Sequence, residues 1–314
     1  MIQLPPIHLP WRDRRGKLVP IKALALLLLT TPLLILSLDA WRGELGPRSW
    51  NQAIHVTGLW AERFLLVTLA LTPLRFVLDW PRLAFIRRIC GTTTLLYVVI
   101  HLVLYTIDLK FNWAQIAWEV FTSFYLIIGL LAVLGLLALG VTSTDGAIRR
   151  MGPRWKRLYR LAYGIAVLAT VHYLLQTKAD IGGPALAFGV LAWLLAWRAL
   201  PENATRSGWV LLALGFATAV LTAAAEAAWY AFATGLNWRR VLTANLDQLP
   251  AQWPDWGSDL EDWMSLGDSL RPSGEAFLIS LALVVLAVLR QGFPAWLRRV
   301  PWRLPSRPWR VPLR

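Results

Sequence analysis

Two of the four histidines lie inside apolar stretches of membrane-spanning length, His101 in LLYVVIHLVLY and His172 in IAVLATVHYLLQ. An imidazole in hydrocarbon is costly, so an intramembrane histidine is a candidate functional group by default. Two at matched depth on different helices suggest a shared ligand. An iron held between two imidazoles, as in a haem, is the chemistry that fits. Taken singly, a transmembrane histidine is more often structural than a ligand, hydrogen-bonded to a neighbouring carbonyl or tyrosine, and Tyr97, Tyr105 and Tyr173 are close in sequence. The residues alone leave both explanations open.

The elements that must position these rings are membrane helices. The chain has 314 residues, of which 57% are hydrophobic and only 16% charged, against about 25% charged in soluble proteins. Eight apolar segments approach the ~20 residues that cross a bilayer: 22–38, 58–78, 90–107, 120–141, 159–176, 184–200, 208–234 and 275–290. The fold class is therefore an all-α integral membrane protein, a bundle of about eight transmembrane helices. The first segment reads as a retained helix, because no small-residue cleavage site follows it. Its single cysteine, Cys90, excludes an intrachain disulfide and a cysteine-based zinc or iron–sulfur site.

The net charge of +14 would suggest nucleic acid in a soluble chain. Here the basic residues flank apolar spans, so no nucleic-acid partner is expected. Arg12, Arg14, Arg15, Lys17 and Lys22 precede the first span. Arg82, Arg87 and Arg88 join the second to the third, and six basic residues between Arg149 and Arg160 join the fourth to the fifth. Arg198, Arg206 and the tail RQGFPAWLRRVPWRLPSRPWRVPLR fall on the same side. By the positive-inside rule that side is cytoplasmic, and both termini lie there. The opposite loops are poorer in basic residues. The last of them carries Asp247, Asp255, Asp259, Glu261, Asp262 and Asp268. Many of the 19 tryptophans fall near span ends, where they anchor helices at the membrane interface and contact lipid headgroups.

On this topology both histidines occupy the outer half of the bilayer. His101 is 11 residues beyond Cys90 and His172 is 13 beyond Tyr159, which is ~16 Å and ~20 Å of helical rise. Thr94 and Cys90 share the face of His101 and are small enough to leave room for a ring. His55 sits at the outer interface, where it could assist a cofactor, a quinone headgroup or a docking partner, or simply be solvated. Glu226, in TAAAEAAWYAF, is an intramembrane acid. It could accept a proton in quinol oxidation or serve as a neutral carboxyl in a helix contact. Glu62 reads as lying near the outer interface. No internal repeat is evident.

Three stretches carry a family resemblance: HVTGLWAERFLLVTLALTPLR, RRICGTTTLLYVVIHLVLY and TSTDGAIRRMGPRWKRLYRLAYGIAVLATVHYLL. Together they resemble the MsrQ (YedZ) family of haem-binding membrane subunits, within the ferric-reductase-like transmembrane superfamily, over roughly residues 20–200. The resemblance implies a b-type cytochrome of the bacterial inner membrane. It would pass electrons from the quinol pool to a periplasmic molybdenum-dependent methionine sulfoxide reductase of the MsrP type, which repairs oxidised envelope proteins. It also implies an associated flavin mononucleotide, although no residue here defines a flavin site. His101 and His172 match the family's haem-site histidines. Arg87 and Arg88 match an arginine pair that could hold haem propionates, a quinone or a flavin phosphate, or merely anchor the cytoplasmic side.

One position departs from the pattern. Where the family usually has a histidine, the run is WKRLYRLAY, with Tyr159 in its place. Tyrosine can ligate haem iron, but Tyr159 lies ~140° around the helix from His172. One haem is therefore expected, with little support for a second.

The expected organisation is a basic cytoplasmic tail (1–21), a six-helix haem-binding core (22–200), an extension with two further spans and an acidic, tryptophan-rich periplasmic loop (201–293), and a basic tail (294–314). The sequence has no G-x-G-x-x-G fingerprint and no soluble flavin domain, so it cannot take hydride from a nicotinamide by itself. The chain then supplies electron transfer, and the sulfoxide chemistry belongs to the partner. The competing readings are a transmembrane ferric or oxygen reductase fed by a separate cytoplasmic flavin reductase, and a non-redox membrane protein with structural histidines. The absence of inverted repeats and of broken helices in matching halves argues against a transporter.

Overall fold

The computed structural model describes residues 10–12, 16–177, 180–246 and 270–292. Most of the expected acidic loop, at 247–269, lies outside the described residues, as do His8 and the tail from 293. Among those described, eight helices are long and apolar enough to cross a membrane.

They are α1 (Pro20–Arg42), α2 (Ser49–Val77), α3 (Arg87–Asp108), α5 (Phe124–Val141), α8 (Leu161–Gln176, prolonging the short α7, Pro153–Leu158), α9 (Gly182–Ala199), α10 (Gly208–Thr234) and α12 (Pro272–Gly292). Short helices α4 (Trp113–Thr122), α6 (Asp145–Met151) and α11 (Trp238–Leu246) fill the connections. Leucines and valines exposed along α1, α5 and α10, such as Leu27, Leu34, Leu134 and Val220, are the surface expected to face hydrocarbon.

Two helix pairs form the centre. α2 packs along α3, and α5 packs along α8, while α9 joins α2 and α8 to the pair α10–α12. α10 buries Gly215, Ala219, Ala223 and Ala227 along one stripe. Four-residue spacing of small side chains lets helix backbones approach closely without a hydrophobic driving force. The buried Leu65, Leu69, Ala132, Leu136, Ile165, Ala166, Leu191 and Leu194 form the shared core.

The helices differ from the expected spans in two informative places. α2 begins at Ser49 rather than 58, so its first two turns, with His55, are helical. Glu62 is therefore mid-helix, not interfacial. The expected span 120–141 is interrupted at Ser123, which is extended and separates α4 from α5. Asn112 caps α4 by accepting a hydrogen bond from the Gln115 N–H at 3.2 Å, which makes it an independent helix.

Pro73 interrupts the hydrogen-bond ladder of α2. Proline has no N–H to give the carbonyl four residues earlier, here that of Leu69, which is fully buried. Arg198 fills the vacancy: its Nη2 donates to Leu69 O at 2.6 Å, its Nη1 to Leu194 O at 2.7 Å, and its Nε to the Tyr163 hydroxyl at 3.1 Å. Arg198→Leu should leave a buried carbonyl unsatisfied, at about 1–3 kcal/mol. Thermal unfolding of the purified protein should show a clear fall in midpoint for R198L.

Candidate functional site

His101 is on α3 and His172 on α8, one on each helix pair. The His101 Nδ1 lies 2.9 Å from the carbonyl oxygen of Ile54 on α2, and the His172 Nδ1 lies 2.7 Å from that of Tyr125 on α5. In both cases Nδ1 is the donor, because a carbonyl can only accept. That fixes the tautomer and leaves Nε2 with its lone pair. No hydrogen bond is made by Nε2 of either ring among the described residues. A half-buried imidazole held through Nδ1–H to a backbone carbonyl, with Nε2 free, is an arrangement suited to binding a metal.

Each ring reaches its carbonyl over a glycine. A Cβ on Gly58 would sit 3.1 Å from His101 Cε1, and one on Gly129 would sit 2.8 Å from both Cε1 and Nδ1 of His172. Each glycine is four residues after the accepting carbonyl, one helical turn away, so a side chain there would occupy the space of the ring. The two constructions repeat one another. Both hydrogen bonds span 47 residues, and Ile54, Gly58 and His101 correspond to Tyr125, Gly129 and His172 at a constant offset of 71. Apart from the glycine and the histidine, most of the positions that agree at this offset are apolar, such as Ala61 with Ala132 and Leu65 with Leu136, so the repeat does not stand out in a membrane sequence. The visible clue was a glycine 43 residues before each histidine.

His55 joins the same region. Its Nε2 is 2.6 Å from Gln176 Nε2, one turn beyond His172 on α8, and its Nδ1 is 2.6 Å from Asn51 O. His101 is within direct electrostatic range of both His172 and His55. The ring of Tyr125 stacks on that of His172 at 6.0 Å. Thr94 and Cys90, expected to leave room beside His101, are instead 1% and 2% exposed. Cys90 is packed against Leu29, Ala61, Phe64 and Tyr97. The space at the histidines comes from glycines on the partner helices.

The arginine pair divides. Arg88 is committed: its Nη1 pairs with Asp145 Oδ1 at 2.7 Å and its Nη2 donates to Ser143 O, pinning α3 to the start of α6. Arg87 has no carboxylate partner among the described residues. It faces Tyr159, Tyr163, Arg75 and Arg198. Three guanidiniums from α2, α3 and α9 thus converge at the end of the bundle opposite the histidines. Tyr159 itself donates to Leu139 O at 2.8 Å and packs on Trp155 at 4.0 Å, so its phenol ties α7 to α5. Glu226 is paired with Arg271 at 3.2 Å and accepts from Asn245 at 3.1 Å, while Ser273 donates to Asn245 Oδ1 at 2.6 Å. That network joins α10, α11 and α12, the helix-contact alternative.

Known proteins bear on this geometry. Residues 57–171 match the family model for the ferric reductase like transmembrane component, a stretch containing Gly58, His101 and Gly129. The protein-methionine-sulfoxide reductase heme-binding subunit MsrQ of Xanthomonas oryzae pv. oryzae is 44% identical over 153 residues, covering 48% of this chain and 70% of that protein. The chain belongs to the MsrQ family. The MsrQ of Caulobacter vibrioides is 40% identical over 173 residues, which is 54% of this chain and 82% of the relative. That of Xanthomonas euvesicatoria pv. vesicatoria is 41% identical over 172 residues, 54% of this chain and 79% of its own length. No solved structure matches. About half of the chain therefore lies outside what it shares with its MsrQ relatives.

The donor set fits the haem named for those relatives: two neutral imidazoles, each oriented from behind and each with Nε2 free. MsrQ membership alone does not say which histidines ligate. The twinned packing is common to His101 and His172 and is not shared by His55, whose Nδ1 bonds Asn51 O on its own helix.

Proposed function

We propose that the chain is the haem-binding membrane subunit of a methionine sulfoxide reductase system, holding one b-type haem between His101 and His172. The observation that carries this reading is the repeated histidine–carbonyl–glycine construction, which presents two free Nε2 atoms from two helix pairs. A bound haem supplies a one-electron carrier, and sulfoxide reduction needs two electrons. The chain then accepts electrons singly and releases them to a periplasmic molybdenum-dependent reductase of the MsrP type. The location is the bacterial inner membrane, with the arginine-rich end in the cytoplasm. His55 and Gln176 lie at the exit side.

Arg87 is 14 residues before His101 on α3, ~21 Å of helical rise, too far for a propionate of a ring held at His101. Arg198 is committed to Leu69 O, Leu194 O and Tyr163, so Arg87, with the Arg75 charge near it, is the guanidinium suited to an anion arriving from the cytoplasm, and a flavin mononucleotide phosphate has the required charge. This cluster favours a second reading of the donor side, in which a cytoplasmic flavin reductase feeds the chain in place of quinol.

Arg87→Ala should weaken flavin mononucleotide binding tenfold or more, since a charge-assisted hydrogen bond is worth ~1.5–3 kcal/mol and ~1.4 kcal/mol is a factor of ten. Arg88→Ala should leave flavin affinity intact and lower stability by under ~1 kcal/mol, the worth of an exposed pair. Flavin fluorescence quenching and thermal unfolding separate the two.

The function is tested in proteoliposomes carrying quinol. The haem should be reduced by quinol and reoxidised by methionine sulfoxide only when the molybdenum partner is outside. Reoxidation by methionine sulfoxide without the partner, or none with it, would overturn the assignment.

A further inference from the structure

Glu62 is a buried acid that the proposed electron path leaves unused. It is 5% exposed, at the middle of α2. Its Oε1 accepts a hydrogen bond from Thr170 Oγ1 at 2.6 Å, and Thr170 is itself 4% exposed on α8. Its Oε2 is buried with no hydrogen-bond partner. Arg63, the next residue, turns its guanidinium over the Trp60 ring at 4.8 Å and makes no ion pair with Glu62. A half-satisfied buried carboxyl is expensive and calls for a physical reason.

Packing does not supply that reason. The constant offset of 71 that relates the two histidine sites maps Glu62 onto Val133 and Thr170 onto Val99. The corresponding positions, on α5 and α3, are two valines, of which Val99 is 41% exposed, so the repeated construction holds its histidines without a polar pair there. Placement suggests a role instead. Glu62 is one turn deeper than Gly58, which abuts His101, and Thr170 is two residues before His172. The carboxyl therefore lies between α2, whose Ile54 holds His101, and α8, which carries His172, ~6 Å along α2 from the Gly58 level. Two turns further out on the same face of α2, His55 meets Gln176 of α8. The α2–α8 seam thus carries a polar ladder, Glu62–Thr170 and then His55–Gln176, from mid-helix to the histidine end of the bundle. The titratable and charged groups facing this seam are Arg63 on α2, Tyr173 and His172 on α8, His101 on α3, Asp180 before α9 and Glu275 on α12.

We propose that Glu62 is the proton-holding residue of the redox centre: one proton binds its free Oε2 when one electron is gained between His101 and His172, and both leave together. The electron comes from the quinol or reduced flavin of the proposed function and departs to the outer acceptor. The proton exchanges with water at the outer end of the α2–α8 seam, where His55 and Gln176 lie. Charge is balanced at the site, because the negative charge of one electron is matched by the one proton that the Glu62 carboxylate oxygen would hold. Glu62 acts on the potential, not on the sulfoxide. The inference rests on the haem reading above.

Redox titration of the haem in the purified full-length chain tests it. In the unmodified protein the midpoint potential should fall with rising pH, by up to about 59 mV for each tenfold fall in proton concentration, the one-electron value. In Glu62→Gln the pH dependence should vanish with haem content unchanged. A pH-independent potential in the unmodified protein, or an unchanged slope in E62Q, overturns the proposal. Should E62Q lose its haem, reduced-minus-oxidised infrared spectra of the unmodified protein and of Thr170→Ala decide. A carboxyl C=O band that appears on reduction and shifts in T170A supports the proposal, and no such band, or one unmoved by T170A, overturns it. An unmodified protein with no reducible haem fails the parent reading, whereas haem without proton coupling fails this inference alone.

Discussion

Replacing either His101 or His172 by alanine should abolish the reducible haem band, and the two substitutions should be equally severe. Each histidine offers one Nε2, and neither site has a second imidazole to substitute for it. His55 is the nearest alternative, but its Nε2 is engaged by Gln176 and its Nδ1 by its own helix at Asn51. His55→Ala should accordingly keep the haem. Loss of only the supporting hydrogen bond to a metal-binding histidine costs roughly 10–100-fold in metal affinity, so loss of the ligand should cost more. Absorption spectra of the two single variants and of H55A, normalised to protein, provide the check. Haem retained in full by H101A or H172A would mean that the twinned construction is structural only.

Gly129→Ala should be nearly as damaging without touching a ligand. The new methyl would stand 2.8 Å from two atoms of the His172 ring, whereas at Gly58 the nearest His101 atoms would be 3.1 and 3.2 Å away. The first approach is closer than a Cβ tolerates, so the ring must leave the Tyr125 carbonyl. The second asks for a shift of a few tenths of an ångström. Gly129→Ala should therefore lower haem affinity by about the 10–100-fold of a lost supporting bond, and Gly58→Ala by less. Gly164→Ala, on α8 with nothing within 4 Å, is the control. It should keep the haem and gain slightly in stability, as alanine is favoured over glycine in helices by ~1 kcal/mol. Haem titration of the three variants, alongside thermal unfolding, gives the ranking.

Sequence carried the helices well, because apolar runs of bilayer length are long-range signals that local detail does not blur. The eight spans and the flanking positions of Arg87 and His172 were legible this way. Contacts between helices were not. Nothing in the sequence distinguishes Arg87 from Arg88, since the choice depends on where Asp145 and Ser143 stand across the bundle. Glu62 was misplaced toward the interface because the polar segment SWNQAIHVTG hides two turns of α2. For Glu226 the sequence leaves a proton acceptor and a helix contact both open, and only its neighbours across the bundle, Arg271 and Asn245, show the contact. The glycine partners of the histidines left only their equal spacing of 43 residues as a sign, because their role lies in space left for a ring from another helix.

The central claim is tested most directly by a reduced-minus-oxidised absorption spectrum of the purified chain, with haem quantified per polypeptide. The account predicts a reducible b-type band at one haem per chain, with Tyr159 contributing no second site. A preparation with no reducible band would contradict it, and two haems per chain would show that Tyr159, or another residue, ligates where this structure assigns it to the α5 carbonyl.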